Sequence, residues 1–272
     1  MRRASGTPRV LASGSSAGRS LLLTTALLLA PAIAAADVPR LRYDPWLDGT
    51  VTGAAALLIV GNGLFEAEIA PSSCRWCDRG SDGRDTLNGF DGAGRGLRLP
   101  DADGRLVRKW GDIAIWRLLP QVSLGLLLLA AASEDRPDDG VIDALIVLEA
   151  TVLAAVGTQV VRYVAARERP YVHFMPPEER GTRELSPDVN SSFFSGHSSV
   201  AFAMAVAAGT VATLRRSRWA TFVWAVGLSL ASLAAYSRIA ADLHYVSDVA
   251  AGVTFGTLVG FGVPYLLHRP VQ

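Results

Sequence analysis

Three short polar clusters interrupt an otherwise apolar C-terminal half, and their residue types suit chemistry on an anion. The first is R-Y-V-A-A-R-E-R-P at 162–170, where Arg162 and Arg169 stand seven apart. Seven residues are two helical turns, so both guanidiniums fall on one face, near a helix end that Pro170 stops. Taken alone, they equally suit interfacial arginines snorkelling to headgroups. The second cluster is S-S-F-F-S-G-H-S-S at 191–199. Ser195 can cap the helix that follows, Gly196 permits close backbone approach, and the free first-turn amides favour an anion beside His197. A plain N-cap explains this stretch alone about as well. The third is S-R-I-A-A-D-L-H-Y-V-S-D at 237–248, with Arg238, His244 and Asp248. His244 and Asp248 are four apart, a helical spacing at which a carboxylate can hold an imidazole. Alone it reads as a polar interhelical loop.

Together the clusters supply three arginines, a helix N-terminus, two histidines and one orienting carboxylate. That inventory fits phosphoryl transfer: positive charge for the equatorial oxygens, a nucleophile, and a proton donor for the leaving oxygen. Five helical segments must position it: 113–132, 141–166, 198–214, 219–236 and 248–267. Consecutive antiparallel helices of these lengths bring the three clusters to one end. Each is at or near the length needed to cross a hydrocarbon core, and a bundle of about five to six transmembrane helices is expected. The alternative is the interior of a soluble bundle, since several are rich in alanine. A weaker apolar segment at 51–65 is broken by Gly61, Asn62 and Gly63, and whether it spans is left open.

Composition agrees with a membrane setting. Of 272 residues, half are hydrophobic, and the net charge is only +1. No basic and aromatic surface for nucleic acid is present. At the N-terminus, Arg2, Arg3, Arg9 and Arg19 precede the apolar run L-L-L-T-T-A-L-L-L-A-P-A-I, and small residues at Ala34 and Ala36 fit cleavage before Asp37. Residues 1–36 are therefore expected to be a signal peptide, or else an uncleaved anchor, routing the chain to a bacterial cell envelope. Cys74 and Cys77 lack a second Cys/His pair for zinc and a surrounding βαβ unit for redox chemistry, so a small structural disulfide is favoured. Residues 37–112 are expected to form an N-terminal arm, the weak apolar segment and a flexible polar loop at 71–111. The D-A-D-G at 101–104 lacks the downstream glutamate of a calcium loop.

Short Arg-rich loops stay cytoplasmic, so R-R-S-R at 215–218 places the three clusters on the periplasmic side of the inner membrane. A cleaved signal together with a spanning 51–65 would reverse that side. His173 is expected in a loop, His268 at the far interface, and Asp242 as a solvated loop acid.

The pattern resembles the type 2 phosphatidic acid phosphatase and vanadium haloperoxidase superfamily, whose motifs read Lys-x6-Arg-Pro, Pro-Ser-Gly-His and Ser-Arg-x5-His-x3-Asp. Here they stand as R-Y-V-A-A-R-E-R-P, F-S-G-H and S-R-I-A-A-D-L-H-Y-V-S-D, in the same order, and the likeness covers about residues 113–268. Arg162 replaces the usual lysine, keeping the charge on a planar fork. Phe194 replaces the proline, which bears on the turn more than on the chemistry. The resemblance implies that His244 attacks phosphorus to give a phosphohistidine, Asp248 holds its other ring nitrogen, and His197 protonates the leaving alkoxide and later activates water. It implies that Arg162, Arg169 and Arg238, with Ser195 and the Gly196 amide, bind the phosphoryl oxygens, and that no metal or other cofactor is needed. The expected substrate is a lipid phosphate or diphosphate. A soluble periplasmic acid phosphatase is the alternative, followed by a vanadium-dependent haloperoxidase and a non-catalytic lipid-binding membrane protein. Oligomeric state is not legible.

Overall fold

The computed structural model describes residues 38–180 and 185–271, so the signal-peptide reading of 1–36 lies outside the described residues. Among the described residues, six helices are long and apolar enough to cross a membrane. They are α1 (Leu47–Leu64), α2 (Asp101–Ser133), α3 (Pro137–Ala165), α4 (Gly196–Leu214), α5 (Ala220–Ala240) and α6 (Val246–Leu267). β-Pairing among the described residues is limited to isolated bridges. The fold is all-α, a helical bundle as expected.

α4 is the central element, packed against α3, α5 and α6. Small residues make this possible. Gly252, Gly256 and Gly260 of α6 recur every four residues, on one face, over the backbone carbonyls of Ser195, Ser199 and Ala203 of α4. A β-carbon at any of the three would collide with those carbonyls, so the two backbones approach as closely as small-xxx-small helices do in membranes. The outer faces are apolar instead: Leu57, Leu129 and Leu258 are 73, 67 and 66 % exposed. Apolar area on that scale is unfavourable in water by about 25 cal/mol per Å² and costs nothing against lipid tails.

Two sequence-level expectations are corrected here. The apolar segment expected to be broken at Gly61, Asn62 and Gly63 is continuous: residues 51–64 belong to α1, whose length and apolarity suffice to cross a membrane. And 71–111 is not a flexible loop. Its last part, from Asp101, is the first turns of α2, which runs through a π-helical segment at Ala114–Leu118. The segment was illegible because its polar face points to the mouth of a cavity, while its glycines do the packing. Gly104 lies against the Ala240 carbonyl, and Gly111 leaves room for Ser237 and Arg238 at the end of α5.

The rest of the polar segment is bolted down as well. Cys74 and Cys77 are joined as a disulfide. Trp76, Asp78 and Asp91 from this segment converge on Arg167, just past α3.

The helices alternate in direction, so the end of α3, the start of α4, the end of α5 and the start of α6 share one end of the bundle. At the other end the arm before α1 meets the C-terminal residues, with the Arg42 amide donating to the Arg269 carbonyl (3.1 Å) and the Val271 amide to the Arg40 carbonyl (2.8 Å). His268 lies there, but not at an interface: it is buried, with Nε2 3.1 Å from Glu149 Oε2 and Nδ1 2.8 Å from the Arg42 carbonyl. Arg215 of the R-R-S-R turn is also buried, paired with Asp143 at 2.7 Å and Asp139 at 3.2 Å.

Candidate active site

All three clusters reach one end of the bundle. A cavity of about 710 Å³ opens there, and Arg169, His197, Arg238 and His244 are among its lining residues.

His244 sits in the turn between α5 and α6, 3 % exposed in its side chain. Its Nδ1 is 2.8 Å from the Ser192 carbonyl. A carbonyl only accepts, so Nδ1 carries the proton. Its Nε2 lies 3.2 Å from Arg169 Nη1, and a guanidinium only donates, so Nε2 carries the lone pair. Both neighbours thus fix one neutral tautomer, with the nucleophilic nitrogen turned toward a cation. Burial, reinforced by the Arg169 charge, lowers the imidazole pKa to about 3. At neutral pH the ring is uncharged.

Asp248, on the first turn of α6, lies 3.7 Å from His244 Nδ1, too long for a hydrogen bond. Its carboxylate is taken by Arg167 Nη1 (2.7 Å), the Ser192 hydroxyl (2.5 Å) and the Tyr245 amide (3.0 Å). The last is the contact by which an acid at the third helical position caps its own helix. Ser192 therefore stands between the two residues: its hydroxyl donates to Asp248 while its carbonyl accepts from His244. Asp248 acts on the imidazole chiefly through Ser192.

Arg162 and Arg169 share one carboxylate, Asp188. Arg162 Nη2 is 3.7 Å from it, and Arg169 Nη2 is hydrogen-bonded to it. Burial opposes the Asp188 charge, yet Arg169, Ser186 and Arg162 together hold its carboxyl below the usual range. Arg162 also donates to the Ser191 carbonyl (2.9 Å), and Arg169 to the Leu243 carbonyl (3.0 Å), so each fork is fixed to backbone from another part of the site.

Ser195 is the N-cap of α4, its hydroxyl oxygen accepting from the Ser198 hydroxyl at 2.9 Å and, more weakly, from the Ser198 amide at 3.4 Å. Gly196 opens the helix beside Arg162: a β-carbon there would lie 3.9 Å from Arg162 Nη1. A side chain at this position would project into the space between the helix N-terminus and that guanidinium.

The third arginine is held from α2. Arg238 Nη2 is 2.8 Å from Asp112 Oδ1 and also donates to the Arg108 carbonyl (3.2 Å). The same Asp112 oxygen is 3.2 Å from His197 Nε2, and Trp116 of the π-helical segment meets the His197 ring edge-on at 5.5 Å between centroids.

Asp112, Arg167, Asp188 and Ser192 are the site residues that sequence reasoning missed. Arg167 carried the one usable signal, a further arginine inside the first cluster. It is fully buried, bonded to Asp78, Asp91 and Asp248, and stacked between the rings of Trp76 (4.1 Å) and Tyr245 (4.0 Å). Those carboxylates raise its pKa against the cost of burial, so it remains a cation. Two further expectations are corrected. Asp242 is not solvated but buried, paired with Arg95 and with Arg98 at 3.3 Å. His173 is not in a loop but closes the short helix Pro170–His173, buried, with Nδ1 near the Cys77 carbonyl (3.2 Å) and Glu168 (3.3 Å) and Nε2 3.3 Å from Asp85.

Two histidines and three arginines thus meet at one end of an all-helical bundle, a concentration of positive charge suited to an anion. Residues 143–271, which carry all three clusters, match the family model of the PAP2 superfamily. The chain is 35 % identical over 112 residues to an undecaprenyl-diphosphatase of Sulfolobus acidocaldarius. That match covers 40 % of this chain and 48 % of the relative, so the chain spans about half the length of the curated relative it matches. It is also similar to a solved transmembrane PAP2 type phosphatidylglycerolphosphate phosphatase from Bacillus subtilis. The identity there is 23 % and the TM-score 0.36, over 64 % of this chain and 90 % of that one.

Proposed function

We propose that this protein is a membrane-embedded phosphatase that hydrolyses a lipid phosphate or diphosphate through a phosphohistidine. The observation that carries this reading is the neutral, fixed tautomer of His244, with Nε2 presented beside Arg169 in a cavity that also holds Arg238 and His197. Nε2 attacks phosphorus, forming a nitrogen–phosphorus bond as the bond to the leaving oxygen breaks. Arg162, Arg169 and Arg238 neutralise the phosphoryl oxygens, together with the amides that open α4. His197 delivers a proton to the leaving oxygen and then takes one from the water that cleaves the phosphohistidine. The arginines supply positive charge of the kind a metal ion would otherwise bring. A site at the end of a lipid-exposed bundle receives a headgroup while the tails stay in lipid, and the exposed apolar faces oppose a soluble acid phosphatase.

Phosphate release from phosphatidic acid, phosphatidylglycerol phosphate and polyprenyl diphosphate in detergent micelles tests the reading. Wild type should act on at least one lipid and His244→Ala on none; equal release by the two proteins would refute it.

We further propose that the site end faces the periplasm of a bacterial envelope. The support is the disulfide at that end, since such bonds persist outside the reducing cytosol, with the R-R-S-R turn at the other. This orientation puts residues 38–46 in the cytoplasm, whereas a cleaved signal before Asp37 would demand the opposite. Reporter fusions after Arg216 and within 79–85 decide: activity of a periplasmic reporter only at 79–85 is the expected result.

A further inference from the structure

The cavity is larger than a phosphoryl group requires. At about 710 Å³ it falls within the roughly 300–1,000 Å³ of pockets that hold whole small ligands. Its lining carries six arginines against four carboxylates, and beyond Arg169 and Arg238 the other four come from residues 95–108. These lie upstream of the segment that matches the superfamily. Two of the four are spent within the protein: Arg95 and Arg98 both pair with Asp242, and Arg98 also with Asp101. Arg105 and Arg108 differ. They are three apart on α2, hence on one face, and both are exposed. Arg108 makes only a loose contact of 3.8 Å with Asp112, whose carboxylate is already engaged by Arg238 and His197. Their placement next to the catalytic centre is fixed by backbone, because the Arg108 carbonyl accepts directly from Arg238 and Gly104 and Gly111 press α2 onto the end of α5.

We propose that Arg105 and Arg108 form a second anion subsite that takes the lipid-linked phosphate of a diphosphate, making this chain selective for lipid diphosphates over monophosphates. The inference rests on the phosphatase reading above and specifies its substrate class. The terminal phosphoryl group lies among Arg162, Arg169 and Arg238, and His244 Nε2 bonds to its phosphorus. The bridging oxygen leaves with the lipid monophosphate, taking its proton from His197, while Arg105 and Arg108 neutralise the charge that collects on that leaving group. Forked guanidiniums suit this role, since each offers two parallel donors to a phosphate.

The test compares kcat/KM for farnesyl diphosphate and farnesyl monophosphate in micelles, for wild type, Arg105→Gln, Arg108→Gln, the double Gln variant and the double Lys variant. Wild type should prefer the diphosphate. The double Gln variant should lower the diphosphate-to-monophosphate ratio at least tenfold, each single variant should lower it less, and the double Lys variant should recover part of it. A ratio that is unchanged, or equal losses on both substrates as expected for arginines that merely meet anionic headgroups, would overturn the subsite. So would a wild type with no diphosphate preference. His244→Ala separates the two levels: if it still releases phosphate from either substrate, the phosphatase mechanism fails, whatever the ratio among the arginine variants.

Discussion

Asp112 Oδ1 lies 2.8 Å from Arg238 Nη2, an ion pair between a helix-α2 carboxylate and a cavity-lining arginine 126 positions later in the chain. The same oxygen reaches His197 at 3.2 Å, so one carboxylate holds both Arg238 and His197, the proposed phosphate ligand and proton donor. Asp112→Asn keeps the shape and an accepting oxygen but removes the charge. We expect kcat to fall roughly tenfold or more, within the range that positioned proton transfer contributes, with little change in KM. Steady-state kinetics on wild type and Asp112→Asn, with thermal unfolding as the control for folding, measure this. An unaltered kcat would show that Arg238 and His197 hold their places without Asp112.

Loss of the nucleophile should be far more severe. His244→Ala is expected to lower phosphate release at least about a thousandfold, because it removes the nitrogen proposed to bond to phosphorus. Rapid acid-free quench with labelled substrate should trap phosphoprotein in wild type and none in the variant.

Stability should fall on mild acidification, and His244 is the reason. Its folded pKa of about 3 lies below the roughly 6.5 of an unfolded histidine, so between these values the unfolded chain binds the extra proton. Stability is therefore lost as pH drops from about 6.5 toward 3. Asp188 and Asp91 are held below the usual carboxylate range, and their contributions disappear only below about pH 4. His268 runs the other way: burial opposes its charge, but Glu149 and the Arg42 carbonyl raise its pKa, so its contribution is lost as pH rises above about 6.5. Unfolding midpoints at pH 6.5 and pH 4.5 should differ clearly in wild type and less in His244→Gln. Equal slopes in both proteins would contradict the account.

Arg167→Ala removes the cation shared by three buried carboxylates. Breaking a buried pair of this kind costs about 3–5 kcal/mol, and here it also frees the disulfide-bearing segment from Asp248. A drop in unfolding midpoint of several degrees is expected, together with reduced kcat as Asp248 and Ser192 lose their anchor. Arg167→Lys should restore part of the stability, but not the bonds that need a fork.

Gly256→Ala tests the helix packing. Its β-carbon would strike the Ser199 carbonyl, so α4 and α6 must separate, at a cost of about 1–3 kcal/mol. Ala substitution at Gly125, where open space lies alongside, should leave the unfolding midpoint unchanged or slightly raised.

The three clusters were legible in the sequence because each is a short polar run of distinctive residue types. The Ser195-Gly196-His197 cap does open a helix, but Arg169 lies past the end of α3 at Ala165. Arg238, His244 and Asp248 sit at the end of α5, in the turn and on the first turn of α6, so shared helix faces are not what gathers these side chains. The number and rough position of the helices followed from apolar run length. Tertiary structure alone decided what surrounds those groups. That Asp112 would meet Arg238 depends on Gly104 and Gly111 seating α2 on α5, and Asp188 finds Arg162 and Arg169 only through the path of a connecting segment. The tautomer of His244 is set by a backbone carbonyl at Ser192, a group every residue has and no sequence pattern marks. Contacts between distant segments depend on which backbones can approach, and periodicity within one helix carries no record of its neighbours.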